Sequence, residues 1–287
     1  MNDVFSPARS ARSEILTVVC AACRDFVAHW THPKPSGAPL WPLWLALGVL
    51  AFALLDSVSL AFDVAEVHAA TQLDPGLIRF FEIVTQAGKS NWLFALSILT
   101  CLYGLYRQAR ENSLRLHARY GLLASRAFYF LAVQAFSGAL SQFIKHLVGR
   151  ARPKLIDTFG PIHFDLFSLK AVLASFPSGH TTTVFAAAAS LSFFMPRKSL
   201  WWSAPLLFLL VLPVAASRLI IGAHYPSDVL GGALLGLGSA LAVARIFARR
   251  KIAFTLSDDD LLPKPRGKAL WVKNYSKFSQ AAEKRVY

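Results

Sequence analysis

The chain predicts an all-α membrane protein, a bundle of six transmembrane helices with interfacial helices at its N-terminus and on its outer face. Three observations carry that expectation. The 287 residues are 55% hydrophobic and only 16% charged, against about 25% charged in soluble domains. The apolar residues fall in runs approaching the length of a bilayer core. Arg and Lys collect in alternate connections between those runs, as cytoplasmic loops do. A mean hydropathy of +0.45 also excludes a disordered chain.

Residues 1–40 read as a cytoplasmic tail carrying an amphipathic helix over Ile15 to Trp30, laid on the membrane surface. Cys20 and Cys23 form a C-x-x-C, with Cys101 apart. An odd count with no second pair gives neither a disulfide framework nor a zinc site. Arg9 and Arg12 before an apolar run resemble a signal peptide weakly, and Cys20 suits no cleavage site.

A membrane domain occupies 41–247. The first span runs from Trp41 to about Phe62 and the second from Asn91 to Tyr106. The third covers Ala127 to Val148, the fourth His180 to Met195, the fifth Leu200 to Ile221 and the sixth Val229 to Phe247. Arg107, Arg110, Arg115 and Arg119 sit between the second and third spans, and Arg197 and Lys198 between the fourth and fifth. Those loops and both tails belong inside by the positive-inside rule. The acidic stretch Asp63 to Ser90 belongs outside, and within it Asp74-Pro75 opens a short amphipathic helix. Residues 248–287 form a basic cytoplasmic tail.

The net charge of +14, from 30 Lys and Arg against 16 Asp and Glu, would suggest nucleic acid in a soluble protein. Here it marks loops that meet anionic lipid. No basic stripe with stacking aromatics is present, and nucleic acid is not expected as a partner.

Polar residues in membrane segments carry the information. They form three groups: Lys145 through Arg152-Pro153, Pro177-Ser178-Gly179-His180, and Ser217-Arg218 through His224 to Asp228. The loop charges alone bring all three to the outer face. Lys145 and Arg152 are seven apart, on one face of a helix that Pro153 ends near Arg152. Ser141, one turn earlier, adds depth to that face. Ser178-Gly179-His180 opens a helix whose N-terminus suits an anion. Pro226 suits a first helical turn, which sets His224 just before a helix and Asp228 inside it. Three cations with one carboxylate fit a phosphate dianion rather than a cation. One cation 4 Å from an oxyanion contributes about 4 kcal/mol at an effective dielectric near 20.

The ordered set K-x6-R-P, P-S-G-H and S-R-x5-H-x3-D resembles the signature of the type 2 phosphatidic acid phosphatase superfamily. That group includes membrane lipid phosphate phosphatases and soluble vanadium haloperoxidases. The match covers Lys145, Arg152, Pro153, Pro177, Ser178, Gly179, His180, Ser217, Arg218, His224 and Asp228. The resemblance implies that His224 is a nucleophile forming a phosphohistidine and that Asp228 orients it. His180 would protonate the leaving group and then activate water. Lys145, Arg152 and Arg218 would clamp the phosphoryl oxygens with Ser178 and Gly179. It implies neither a metal nor a cofactor.

Singly, Lys145 or Arg218 would be an ordinary snorkelling cation. Jointly, three motifs at one face call for a site. Arg150, Lys154, His146 and His163 fall outside the signature and read as loop residues that could touch a head group. Asp56 reads as paired or wetted near the end of the first span, and Gly231, Gly232, Gly236 and Gly238 as a helix-packing face. The expected function is a lipid phosphatase acting on a phosphate or diphosphate monoester. Its substrate would be lipid A 1-phosphate, undecaprenyl diphosphate, phosphatidylglycerol phosphate or phosphatidic acid. The alternatives are a phosphotransferase using the same site and, at more distance, a lipid transporter or flippase. A transporter would set its polar groups nearer the midplane. The cysteine usage and basic inner face point to a bacterial inner membrane with a periplasmic site.

Overall fold

The computed structural model describes residues 41–160, 162–195, 199–255 and 262–265. The expected N-terminal helix, Cys20, Cys23, Arg197, Lys198 and most of the basic tail lie outside them. The described chain is built on seven helices of ten or more residues: α1 (Trp41–Ala70), α2 (Pro75–Val84), α3 (Asn91–Arg110), α4 (Leu114–Val148), α5 (Gly179–Ser192), α6 (Leu200–Ile220) and α7 (Pro226–Arg249), with a four-residue helical turn, Ile156–Phe159, between α4 and α5. Short 3-10 turns join some of them, notably Thr85–Gly88 after α2. Among the described residues the departures from all-α are a two-residue ladder, Phe254–Thr255 against Lys264–Pro265, and an isolated antiparallel bridge between Arg150 and Phe164.

A helix stands at each of the six expected span positions. Within α1, α4, α6 and α7, the segments Gly48–Ala70, Leu114–Val148, Trp201–Ile220 and Pro226–Arg249 are long and apolar enough to cross a membrane. The chain is therefore a helical, multi-pass membrane protein. Helix α5 has 14 residues, about 21 Å at 1.5 Å per residue, against a hydrocarbon core of about 30 Å. Ten of them are buried, and all ten are Thr, Ser, Ala or Val. It is a core helix of small residues rather than a lipid-facing one.

The helix ends differ from the sequence expectation in ways that matter for the site. Helix α1 continues to Ala70 instead of stopping near Phe62, because Val64-Ala-Glu-Val-His-Ala-Ala offers no breaker. Asp63, read as a loop residue, is consequently on a helix and 1% exposed. Helix α4 starts at Leu114, so Arg115, Arg119 and Arg126 ride on it. It stops at Val148, four residues before Arg152. The stop is Gly149, at φ +61°, where a Cβ would fall 1.7 Å from the Asp165 carbonyl oxygen. Helix α2 forms as its sequence predicts. The Asp74 carboxylate accepts from the Gly76 and Leu77 N–H groups, with Pro75 in the first turn.

Two compact units divide the chain. One comprises Ala38–Phe94 and Phe130–Val243 and contains every candidate site residue. In it α7 lies tightly on α5: a Cβ on Gly232 would meet the Ser178 carbonyl at 2.5 Å, and one on Gly236 the Thr182 carbonyl at 2.6 Å. The expected helix-packing face is real at Gly232 and Gly236; a Cβ on Gly231 would meet the ring of Phe176 in the loop before α5, and one on Gly238 would meet nothing. The other unit includes Ala95–Tyr129 and the chain from Ala244. Its core includes Tyr129, wholly buried and in edge contact with Phe247 and Phe254. Arg107 there pairs with Glu111 at 2.6 Å and lies over the Tyr120 ring.

Candidate active site

The three motifs meet at the ends of α4, α5, α6 and α7. Gly222, at φ +62°, ends α6 in the left-handed conformation that favours glycine. The chain then folds back, and the Ala223 and His224 N–H groups both donate to the Arg218 carbonyl. Helix α7 starts two residues later. Asp228 in its first turn accepts from the Tyr225 N–H at 2.9 Å, in the manner of a capping box. The carbonyl of Asp228 takes the Ser178 N–H at 2.9 Å, which ties the Pro-Ser-Gly-His turn to the His224 turn. Ser178 caps α5 without using its hydroxyl as the cap; that oxygen accepts from Thr181 Oγ1 at 3.0 Å.

His224 is 2% exposed. Its Nδ1 faces Asp228 Oδ2 at 3.6 Å, beyond hydrogen-bond length. Burial lowers its pKa to about 4, Lys145 and Arg218 push the same way, and Asp228 opposes them. The imidazole is thus neutral near pH 7, with Nδ1 toward the carboxylate and Nε2 away from it.

Lys145 and Arg218 lie in electrostatic range of this histidine, and Arg152 in range of Lys145. Lys145 Nζ donates to the Ala174 carbonyl at 3.2 Å and feels the charges of Arg152, Arg218 and Asp228. Arg152 lies beyond the helix in extended backbone, φ −76° and ψ 156°. It therefore shares no helical face with Lys145 and reaches the site along the loop. Its Nε donates to the Ala171 carbonyl at 3.2 Å. Arg218 donates to Thr85 Oγ1 at 2.7 Å, and its Nε is buried with no partner. His180 lies in electrostatic range of Arg218, His224, Lys145 and Lys89. Gly179 is open: a Cβ there would sit 3.9 Å from Lys145 Nζ and 4.0 Å from Ser141 Oγ. Ser141 is buried, and its hydroxyl is unpartnered. All eight signature residues singled out for chemistry are in this region.

Sequence reasoning missed a second set. Arg150 is 4% exposed, not a loop residue free to touch a head group. It donates from one terminal nitrogen to Asp228 Oδ1 at 2.7 Å and Ser227 Oγ at 2.7 Å. The other donates to Asp63 Oδ2 at 2.7 Å. Burial lowers its pKa, but Asp228 and Asp63 outweigh that and the net shift is upward. Its guanidinium lies 4.3 Å from the centre of the Tyr225 ring. The Tyr225 hydroxyl is buried without a partner and is pushed up to about 12, chiefly by burial. Ser175 also donates to Asp228, at 2.5 Å. Thr85, Gly88 and Lys89 approach from the turn after α2; a Cβ on Gly88 would come within 2.8 Å of the His180 ring. A lone Asp, Thr or Gly far from a motif offers no sequence pattern to find it by.

A membrane helix bundle that gathers three cations, a helix N-terminus and a buried neutral histidine defines a phosphoryl-transfer enzyme rather than a channel or carrier. The PAP2 superfamily model matches residues 126–252. A lipid A 1-phosphatase from Rhizobium johnstonii is 33% identical over 233 residues, 79% of this chain and 90% of the relative. Another, from Rhizobium etli, is 32% identical over 214 residues, 72% and 88% of the two chains. Among solved structures, the transmembrane PAP2-type phosphatidylglycerolphosphate phosphatase of Bacillus subtilis aligns with TM-score 0.48 at 22% identity, over 68% of this chain and 92% of that one. The chain belongs to the PAP2 superfamily. It is a membrane lipid phosphatase of that metal-independent family.

Proposed function

We propose that the protein removes the 1-phosphate of lipid A at the periplasmic face of a bacterial inner membrane. Six spans over 41–247 would carry the site, with both tails cytoplasmic. The observation that carries the proposal is the neutral, buried His224 with Nδ1 toward Asp228, Lys145 and Arg218 in electrostatic range of it, and Arg152 in range of Lys145. Likeness to two lipid A 1-phosphatases along about nine-tenths of their length supports the substrate.

In this reading Nε2 of His224 attacks phosphorus, and the bond from phosphorus to the lipid oxygen breaks. His180 gives its proton to that oxygen. Asp228 stabilises the N-phosphoryl imidazolium. Water then attacks phosphorus, His180 takes its proton, and the P–N bond breaks to release phosphate and neutral His224. Lys145, Arg152 and Arg218 hold the equatorial oxygens, where charge spreads in the transition state. Ser178 and the Gly179 N–H complete the cradle at the start of α5.

The test is phosphate release by detergent-solubilised protein, with chelator, beside a His224→Ala control. The panel contains lipid A, undecaprenyl diphosphate, phosphatidylglycerol phosphate and phosphatidic acid. Release from lipid A, absent in the control, is expected. Preference for another lipid overturns the substrate. No release without an added lipid acceptor, and transfer with one, makes the enzyme a phosphotransferase.

A further inference from the structure

We infer that Arg150, held in place by Asp63, is a positioning residue that aims Asp228 at His224 and takes no part in holding phosphate. The inference rests on the reading of His224 as nucleophile.

Arg150 stands between Lys145 and Arg152 in sequence, and on charge alone it would be a fourth clamp. Its two terminal nitrogens are otherwise engaged, and its Nε is buried without a partner. One terminal nitrogen serves Asp228 and Ser227 and the other serves Asp63. Its backbone carbonyl accepts from the Ser175 N–H, and the Ser175 hydroxyl returns to Asp228. Arg150 thus fixes Asp228 Oδ1 directly and supports a donor to Oδ2.

Asp63 is the far anchor of the same network. Its Oδ2 accepts from Arg150, from Ser59 Oγ at 2.7 Å and from Ser227 Oγ at 2.6 Å. Its Oδ1 accepts the Ser227 N–H at 3.0 Å. That amide is in the first turn of α7, so α1 caps the helix that carries Asp228. One guanidinium between two buried carboxylates leaves the cluster with net negative charge, which suits an imidazolium forming on His224. The planar fork of Arg reaches both carboxylates at once; an ammonium is a single point charge.

Removing Arg150 alone leaves two buried carboxylates facing each other, a fault that could unfold the chain. The informative protein is therefore the Arg150→Gln/Asp63→Asn double variant, which keeps the net charge of the cluster. Arg150→Lys is measured beside it. Three readouts are needed on folded, detergent-solubilised protein: kcat and KM, the rate of acid-labile phosphoenzyme formation in quenched flow, and the inhibition constant for inorganic phosphate. Misplacing a reacting group by about 1 Å costs roughly 10²-fold. The double variant should lose about that in kcat and in phosphoenzyme formation, with KM and phosphate inhibition within about 3-fold of wild type. Arg150→Lys should not restore the rate.

Phosphate inhibition weakened with kcat kept would make Arg150 a clamp and overturn the inference. A folded double variant with all three quantities unchanged would leave the network merely structural, which also overturns it. Full activity in Arg150→Lys would refute the need for the fork. If the wild type forms no phosphoenzyme on His224, the reading of the site fails. Equal phosphoenzyme rates in wild type and double variant sink only the role of Arg150.

Discussion

The two sides of the candidate site are built to opposite standards. On the His224 side the carboxylates and the terminal nitrogens of Arg150 are paired inside the protein, and only Arg150 Nε is buried without a partner. Asp228 accepts from Arg150, Ser175 and the Tyr225 N–H, and Asp63, Arg150 and Asp228 are all under 5% exposed. On the cationic side the groups are held by little. Lys145 and Arg152 each donate to one backbone carbonyl, and Arg218 donates to Thr85 and keeps a buried Nε unpartnered. A nucleophile gains from rigid placement, because its rate depends on aim. A phosphate clamp gains from donors left unfilled until substrate arrives, since a donor already satisfied contributes little on binding. Each way of breaking one side should therefore leave a different kinetic mark.

The largest effect is expected from the rigid side. His224→Ala should cut turnover by about 10⁴-fold or more, the range seen when a covalent catalyst is removed. The protein should still bind inorganic phosphate, because the clamp is intact. Phosphate inhibition constants of the variant, taken against residual substrate cleavage or by calorimetry, check this. Near-wild-type turnover would refute the nucleophile assignment.

Arg218→Ala comes next. It removes a cation from the oxygens that gain charge in transfer, so about 10²- to 10³-fold should be lost in kcat/KM. Unlike His224→Ala, it should weaken phosphate inhibition in parallel. A loss confined to kcat would move Arg218 to the positioning side of the comparison.

How far the sequence could lead also follows this division. Loop charges alone bring the three motifs to one end of the bundle, and the structure unites Lys145, Ser178, His180, Arg218, His224 and Asp228 there. Those residues are legible because each motif marks a helix end, with Gly222, Pro226 or Gly179 as punctuation. Arg152 was misplaced by reading seven residues as two helical turns. Gly149 breaks α4 first, at φ +61°, where the Asp165 carbonyl leaves no room for a Cβ. Asp63 and Arg150 were illegible as a pair, since they are 87 residues apart. A buried ion pair leaves no periodicity. Asp63 looks like a charge that ends a span, until tertiary contact supplies Arg150 and Ser227 to bury it.

Acid should affect the rigid side before the loose one. His224 has its ordinary pKa near 6.5 when unfolded and about 4 when folded. The folded protein therefore binds fewer protons at this group between those values. Stability is flat above about pH 6.5 on this account, falls as pH drops toward 4, and stays low below it. The full loss is about 3 kcal/mol. Thermal denaturation in detergent at pH 7 and pH 4.5 checks it, with His224→Gln as control. The variant should lose distinctly less stability than wild type over that interval. Equal losses would mean that other groups govern the acid response.

Thr85→Val tests the loose side at the hydrogen bond that holds Arg218. Valine keeps the volume and loses the hydroxyl that accepts from Arg218 at 2.7 Å. A hydrogen bond to a charged donor contributes about 1.5 kcal/mol, or roughly tenfold in an equilibrium. The guanidinium would keep its charge and its reach, but would have to be ordered by the substrate. KM and the phosphate inhibition constant should each rise by up to about tenfold, and phosphoenzyme formation at saturation should stay within about 3-fold. That is the mirror image of what Arg150→Gln/Asp63→Asn should do. A fall in the chemical rate at unchanged phosphate affinity would instead make the turn after α2 part of the aiming machinery, and the division between a rigid and a loose side would not hold.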